Sequence, residues 1–165
     1  PDSPFLLMAP DQIAAAYADI LDKGEESEFY AAFEAEGDQF RTIVSEDRAR
    51  RIQEFNATGA TTGSLAFGST PGTETPIALA TVESGAIVAV NLNETDIVKP
   101  VSAEAVIKLT NNATVRTLTG VEQSATGFTS TFGDQLFFYV PAQGSTEKIR
   151  LLGYSSSILD AQVIK

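Results

Sequence analysis

The stretch Asp134-Gln135-Leu136-Phe137-Phe138-Tyr139-Val140-Pro141 constrains the fold more than any other part of the chain. Side chains alternate along an extended segment, so Leu136, Phe138 and Val140 point one way and Phe137 and Tyr139 the other. A strand that is apolar on both faces is at odds with a wet sheet edge. Its expected place is the middle of a sheet, with helices over one side and either more protein or a pocket over the other.

The chain before it reads first as helix. Pro1–Pro4 has the look of a linker, and Phe5-Leu6-Leu7-Met8 of a short arm that docks. Pro10 suits a first helical position, and Ile13, Ala16, Tyr17, Ile20 and Leu21 fall on one stripe that ends at Gly24. A second, short helix is expected over about Glu25–Ala35, with early acids favoured by the helix dipole. Gly37 stops it, and Asp38 is placed to cap a third helix over about Gln39–Phe55. That helix shows Phe40, Ile43, Val44, Ile52 and Phe55 on its apolar face. Arg48, Arg50 and Arg51 are expected outward, with Glu46–Arg50 and Asp47–Arg51 as supporting pairs.

From there the pattern changes. Asn56–Gly63 is a turn region, Ser64–Phe67 a short strand, and Gly68–Pro76 a loop by its Gly and Pro content. Strands are expected near 77–83, 86–93, 95–99, 104–110, 114–119, 126–132, 134–140, 148–154 and 158–164. Leu118–Gln123 is an alternative short helix. Gly85 and Ala142–Glu147 mark hairpin loops.

Helices that precede a run of strands give an α+β fold, here N-terminal helices packed on a curved, strongly twisted antiparallel sheet. That order is the one used by the NTF2-like and cystatin-like cone. At 165 residues the chain fits an arm at 1–9 followed by a single domain at 10–165, with helices over 10–55 and the sheet over 60–165.

Composition narrows the chemistry. Hydrophobic residues make up 43% and charged residues 20%, a globular balance. The 22 acids against 11 bases give a net charge of −11, which argues against nucleic acid and anionic lipid as partners. Thirteen of the acids lie in residues 1–55, so the helical half carries most of the negative field. Histidine and cysteine are absent, which removes His-dependent triads, Cys nucleophiles and Cys/His zinc or iron–sulfur sites. No cofactor is expected. No apolar run of 18 or more residues is present to span a membrane, and the start at Pro1 leads us to expect a signal or anchor upstream.

The segment Thr131-Phe132-Gly133-Asp134-Gln135-Leu136-Phe137-Phe138-Tyr139-Val140-Pro141-Ala142-Gln143-Gly144-Ser145, followed by Ile149-Arg150-Leu151-Leu152-Gly153, resembles the C-terminal signature of the actinobacterial family DUF8094. Members pair an FYVP strand with a following I-x-x-L-G strand. Ala15–Leu21 and the Asp38-Gln39-Phe40-Arg41 turn are also similar to that family, so the likeness runs from about Pro10 to Ile164. It implies an exported or membrane-anchored envelope protein with this domain outside the membrane, and it brings no catalytic residues.

Other motifs have ordinary explanations. Asn56-Ala57-Thr58, Asn93-Glu94-Thr95 and Asn112-Ala113-Thr114 fit the glycosylation triplet, which arises readily in Thr-rich strands. Gly59–Gly63 and Gly68–Gly72 lack the Gly-Lys-Ser/Thr of a phosphate loop. Asp19, Asp22, Glu25, Glu26 and Glu28 lack the alternating spacing of a calcium loop. Asp134 and Asp96 are the acids expected to be partly buried. A Tyr139/Asp134 pair is the best enzymatic candidate, but five residues of regular strand put the two on opposite faces.

The reading that these residues favour is a non-catalytic extracytoplasmic module of the cell envelope. It binds a protein partner or an apolar or envelope-derived ligand, and reaches the membrane only through an anchor outside this chain. Phe137, Tyr139, Phe128, Phe132 and Tyr154 are the candidate contact residues, against plain core as the simpler explanation. Two alternatives stand beside it: an NTF2-like isomerase or hydrolase using carboxylate and Tyr side chains, and a structural spacer with no exposed apolar patch.

Overall fold

A computed structural model describes residues 5–58 and 61–165 of the chain. The expected linker Pro1–Pro4 lies outside these residues, as do Gly59 and Ala60 of the expected turn and of the Gly59–Gly63 stretch. The elements run α1 (Pro10–Lys23), two single 3-10 turns (Gly24–Glu26 and Tyr30–Ala32), α2 (Gln39–Thr58), β1 (Gly63–Pro71), β2 (Ile77–Ala80), β3 (Ala86–Pro100), β4 (Ile107–Lys108), α3 (Ala113–Thr119), β5 (Gln123–Ser124), β6 (Phe128–Val140) and β7 (Arg150–Val163). The fold is α+β, with three helices and a mostly antiparallel sheet. The main sheet has the order β1-β3-β6-β7 with β2 added on β3, while β4 and β5 form a separate two-stranded ladder.

β6 therefore lies between β3 and β7, the interior place that its composition demanded. Its even-numbered side chains Leu136, Phe138 and Val140 are fully buried. Expected neighbours fuse into longer strands: 86–93 with 95–99 as β3, 126–132 with 134–140 as β6, and 148–154 with 158–164 as β7.

The chain divides into two compact units. The first comprises residues 1–45, 69–93 and 133–156. Its core joins Ile13, Tyr17 and Ile20 of α1 to Val88, Val90 and Leu92 of β3 and to Leu136, Phe138 and Val140 of β6. Helix and sheet thus bury their apolar faces against each other, and each covered side chain contributes about 1.5–3 kcal/mol. The Phe138 ring meets Tyr17 edge-on at 4.9 Å and Phe33 at 5.8 Å. The arm docks as expected: Leu6 is buried, Leu7 N–H donates to the Pro141 carbonyl, and Gln143 N–H donates to that of Phe5.

The second unit comprises residues 46–68, 94–132 and 157–165. A smaller core of Leu109, Val115, Phe128 and Ala161 holds it.

Three expectations are corrected. Glu25–Ala35 is two 3-10 turns rather than a helix. Ser27 is extended and its hydroxyl donates to Asp19 (2.6 Å) while accepting from Phe29 N–H; Phe33 then leaves helical geometry to bridge Ile149, with Glu34 N–H donating to the Ile149 carbonyl. Residues 114–119 form α3, not a strand. Asn112 caps it through Val115 N–H, and Gly120 closes it in the left-handed region, so capping overrides the strand preference of its Val and Thr residues. Finally, 104–110 contributes only the two residues of β4.

α2 departs from its expected polarity as well. Phe40 and Val44 are buried, but Ile43 and Ile52 are largely exposed. Arg48 and Arg51 do not point outward. Arg48 pairs with Glu94 at 3.2 Å and Arg51 with Asp96 at 2.6 Å, and both guanidinium groups lie over the Phe67 ring. Arg50 does face solvent, where it pairs with Asp47 and Glu54.

Candidate functional site

The sheet face in the first unit that is turned away from the core of Tyr17, Val88 and Phe138 is the candidate surface. β2 pairs with β3 in antiparallel register, Ile77 opposite Ala89 and Leu79 opposite Ile87. Since Ala86, Val88, Val90 and Leu92 are buried, alternation turns Ile87 and its cross-strand neighbours to the other side. Gly85 lies against the Tyr139 ring, so the same side of β6 carries Tyr139 and, two residues back, Phe137. Arg150 lies over Tyr139 at 5.4 Å, which puts Leu152 on this side too. Ile77, Leu79, Ile87, Phe137 and Leu152 are between 38% and 66% exposed. Large apolar side chains gathered this way on one sheet face mark an interaction surface more often than scattered exposed ones do.

The β2–β3 hairpin turns tightly to build this face. Thr81 N–H donates to the Gly85 carbonyl, and Ser84 takes a positive φ of 66°. A Cβ at Gly85 would stand 2.8 Å from both the Tyr139 ring and the Val140 carbonyl oxygen, so no side chain fits there.

The rim is acidic. Glu74 accepts a hydrogen bond from the Asn91 amide, which holds its carboxyl below the ordinary value. Burial, then the charges of Glu147 and Glu83, raise the Tyr139 phenol above its ordinary value, against the opposing pull of Arg150.

The five aromatic candidates separate. Phe137 is exposed and Tyr139 nearly covered beneath Arg150. Tyr154 packs on Phe40 at 5.0 Å and lines a groove of about 360 Å³ with Gly37, Gln39 and Leu151–Gly153. Phe128 belongs to the core of the second unit, and Phe132, half-buried, to the same unit. Ile77, Leu79, Ile87 and Leu152 were not singled out from sequence. The alternation of 77 and 79 with Ala78 and Ala80 is a signal for them, but it does not say which face is wet.

Asp96 and Asp134 are buried, as their strand positions suggested. Alternation along β6 keeps Asp134 with Phe138 and away from Tyr139. Asp19 is committed to Lys23 and Ser27, and Asp22 accepts from Ser69 N–H. Among the described residues no three His, Cys, Asp or Glu side chains are grouped to hold a metal ion, and no helix is long and apolar enough to cross a membrane.

Fold and face together define an α+β domain with a mostly antiparallel sheet, one side of it covered by helices in the first unit and the other exposing large apolar residues. The chain belongs to the DUF8094 family, described as a domain of unknown function, whose profile matches residues 1–163. Searches of the curated proteins and of the solved structures found no match.

Proposed function

We propose that this domain is a non-catalytic module that binds a protein partner through the outer sheet face of its first unit. One observation carries the reading: Ile77, Leu79, Ile87, Phe137 and Leu152 stand exposed together on that face. A spacer domain has no use for such a patch, and a broad strand surface suits a protein better than a small ligand. The partner is a protein with an apolar centre and basic surroundings, matching Glu74, Glu83 and Glu147 at the rim. Two copies of this chain, each at net −11, would bring like charges together. In the same proposal the domain works outside the cytoplasm of an actinobacterial cell, tethered to the envelope by a segment beyond this chain. Its sheet is taken as the curved surface of an NTF2-like or cystatin-like cone, as the order of helices before strands suggests.

The test places a photo-crosslinking amino acid at Phe137, at Ile87, or at the exposed Arg50 as control, in the protein expressed in its own cells. The reading expects one adduct from Phe137 and Ile87, lost on Leu79→Asp, and none from Arg50. Adducts that form equally from all three positions, or that join two copies of this chain, would overturn it.

A further inference from the structure

β7 is the last strand of its sheet and has β6 as its neighbour among the described residues. Proteins usually protect such an edge with Pro, Lys, a bulge or a very short strand. β7 is 14 residues long and holds neither Pro nor Lys. Just before it, the edge is already in use: Ile149 N–H donates to the Ala32 carbonyl and Glu34 N–H donates to the Ile149 carbonyl, a parallel bridge one residue long centred on Phe33. The chain then turns away through Gly37, at a φ of 79°, to begin α2.

The groove of about 360 Å³ opens where that bridge stops, between Gly37 and Gln39 on one side and Leu151–Tyr154 on the other. Alternation aims the N–H and C=O of Leu151 and Gly153 toward the same edge as those of Ile149. Among the described residues no heavy atom lies within 4 Å of where a Cβ of Gly153 would stand, so the sheet face beside that residue is uncrowded. Glu34 and Glu36 lie in the segment that leads from the Phe33 bridge into Gly37 of the groove lining, Glu34 accepting from Glu36 N–H.

We infer that the outer edge of β7 at Leu151–Tyr154 takes an extended, basic peptide segment as an added strand, continuing the ladder that Phe33 and Ile149 begin. Main-chain hydrogen bonds to Leu151 and Gly153 supply the pairing. The Tyr154 ring, which lines the groove and rests on the buried Phe40, offers a place for one apolar side chain, and Glu34 and Glu36 select for lysine or arginine. This edge meets the exposed sheet face at Leu152, but the pairing uses the main chain of Leu151 and Gly153, so the inference does not depend on that surface being used.

The test titrates short synthetic peptides into the isotopically labelled full chain. One peptide alternates lysine with valine, another glutamate with valine, and two further lysine peptides carry N-methyl groups on alternate amides in opposite phase. The lysine peptide is expected to shift the amide signals of Leu151 and Gly153 and to slow their exchange with solvent. The glutamate peptide should bind about tenfold more weakly or worse. One phase of N-methylation should cost about tenfold or more while the other is tolerated, because one edge of an added strand pairs and the other does not. Equal binding of the two methylated peptides, shifts confined to Ile87 and Phe137, or no binding of the lysine peptide would overturn the inference. So would concentration-dependent protection of Leu151 and Gly153 without peptide, which would mean that a second copy fills the edge.

Discussion

The Tyr17 hydroxyl lies 2.8 Å and 2.9 Å from the two carboxylate oxygens of Asp38, with both residues buried. α1 is thereby fastened to the first turn of α2, because the same carboxylate accepts from Arg41 N–H and pairs with Arg41 Nε at 3.2 Å. The Arg41 guanidinium in turn lies over the rings of Tyr17 and Tyr30. Asp38 thus caps a helix, neutralises a cation and anchors a phenol at once.

Tyr17→Phe should therefore destabilise the fold by about 1–3 kcal/mol at neutral pH, since a buried carboxylate loses its hydroxyl donor. Burial first, then the Asp38 charge, raises the Tyr17 phenol well above its ordinary value of 10.0. As pH rises, the unfolded chain gives up this proton before the folded one. The stability that the neutral phenol contributes is present below pH 10.0 and is lost as pH climbs above it. Urea unfolding of both proteins at neutral and strongly alkaline pH checks this: the wild type should lose more stability than Tyr17→Phe over that interval.

The interior strand tests the packing. Phe138 is fully buried between Tyr17 and Phe33, so Phe138→Ala should cost about 3–5 kcal/mol through lost contacts and the cavity left behind. Equilibrium denaturation measures it directly. A loss below about 1 kcal/mol would mean that the ring contributes no core packing.

The interior place of β6, the α1 stripe, the docked arm and the Asp38 cap were legible because each rests on a local pattern: period, capping residue or apolar run. What was hidden depends on partners distant in sequence. Ser27 and Phe33 abandon a helical pattern because Asp19 and Ile149 offer them better bonds. Arg48 and Arg51 look like solvent-facing charges until Glu94, Asp96 and the Phe67 ring are brought beneath them. The wet face of β2 and β3 was equally unreadable, since both faces carry apolar residues and only the packing of α1 decides which is covered. Of the candidate aromatics, Phe137 has the exposure that a contact residue needs, whereas Phe128 is core.

The Arg51–Asp96 pair provides a measurable instance of such long-range pairing. The contact is 2.6 Å, with Asp96 largely covered and Arg51 partly exposed, so solvent screens it incompletely. A double-mutant cycle with Arg51→Ala and Asp96→Ala should give a coupling of about 1–2 kcal/mol by urea unfolding. It should weaken at high salt. A coupling near zero would mean that the pair is as loose as an exposed one.

The exposed sheet face separates binding from folding. Phe137 and Ile87 lie on the side of the sheet away from the core of the first unit and are 38% and 39% exposed, so replacing each by Ser removes less buried apolar area than truncating a core ring. Phe137→Ser and Ile87→Ser should each cost about 1–2 kcal/mol, well below the loss expected for Phe138→Ala. The double variant should nonetheless lose its crosslinked partner in cells, because removing central apolar contacts from an interface costs far more than removing the same atoms from solvent. Thermal unfolding and crosslinking yield, measured on one preparation, decide the matter. Loss of stability comparable to that of Phe138→Ala would show that these side chains are core, and unchanged crosslinking with intact stability would show that the partner docks elsewhere.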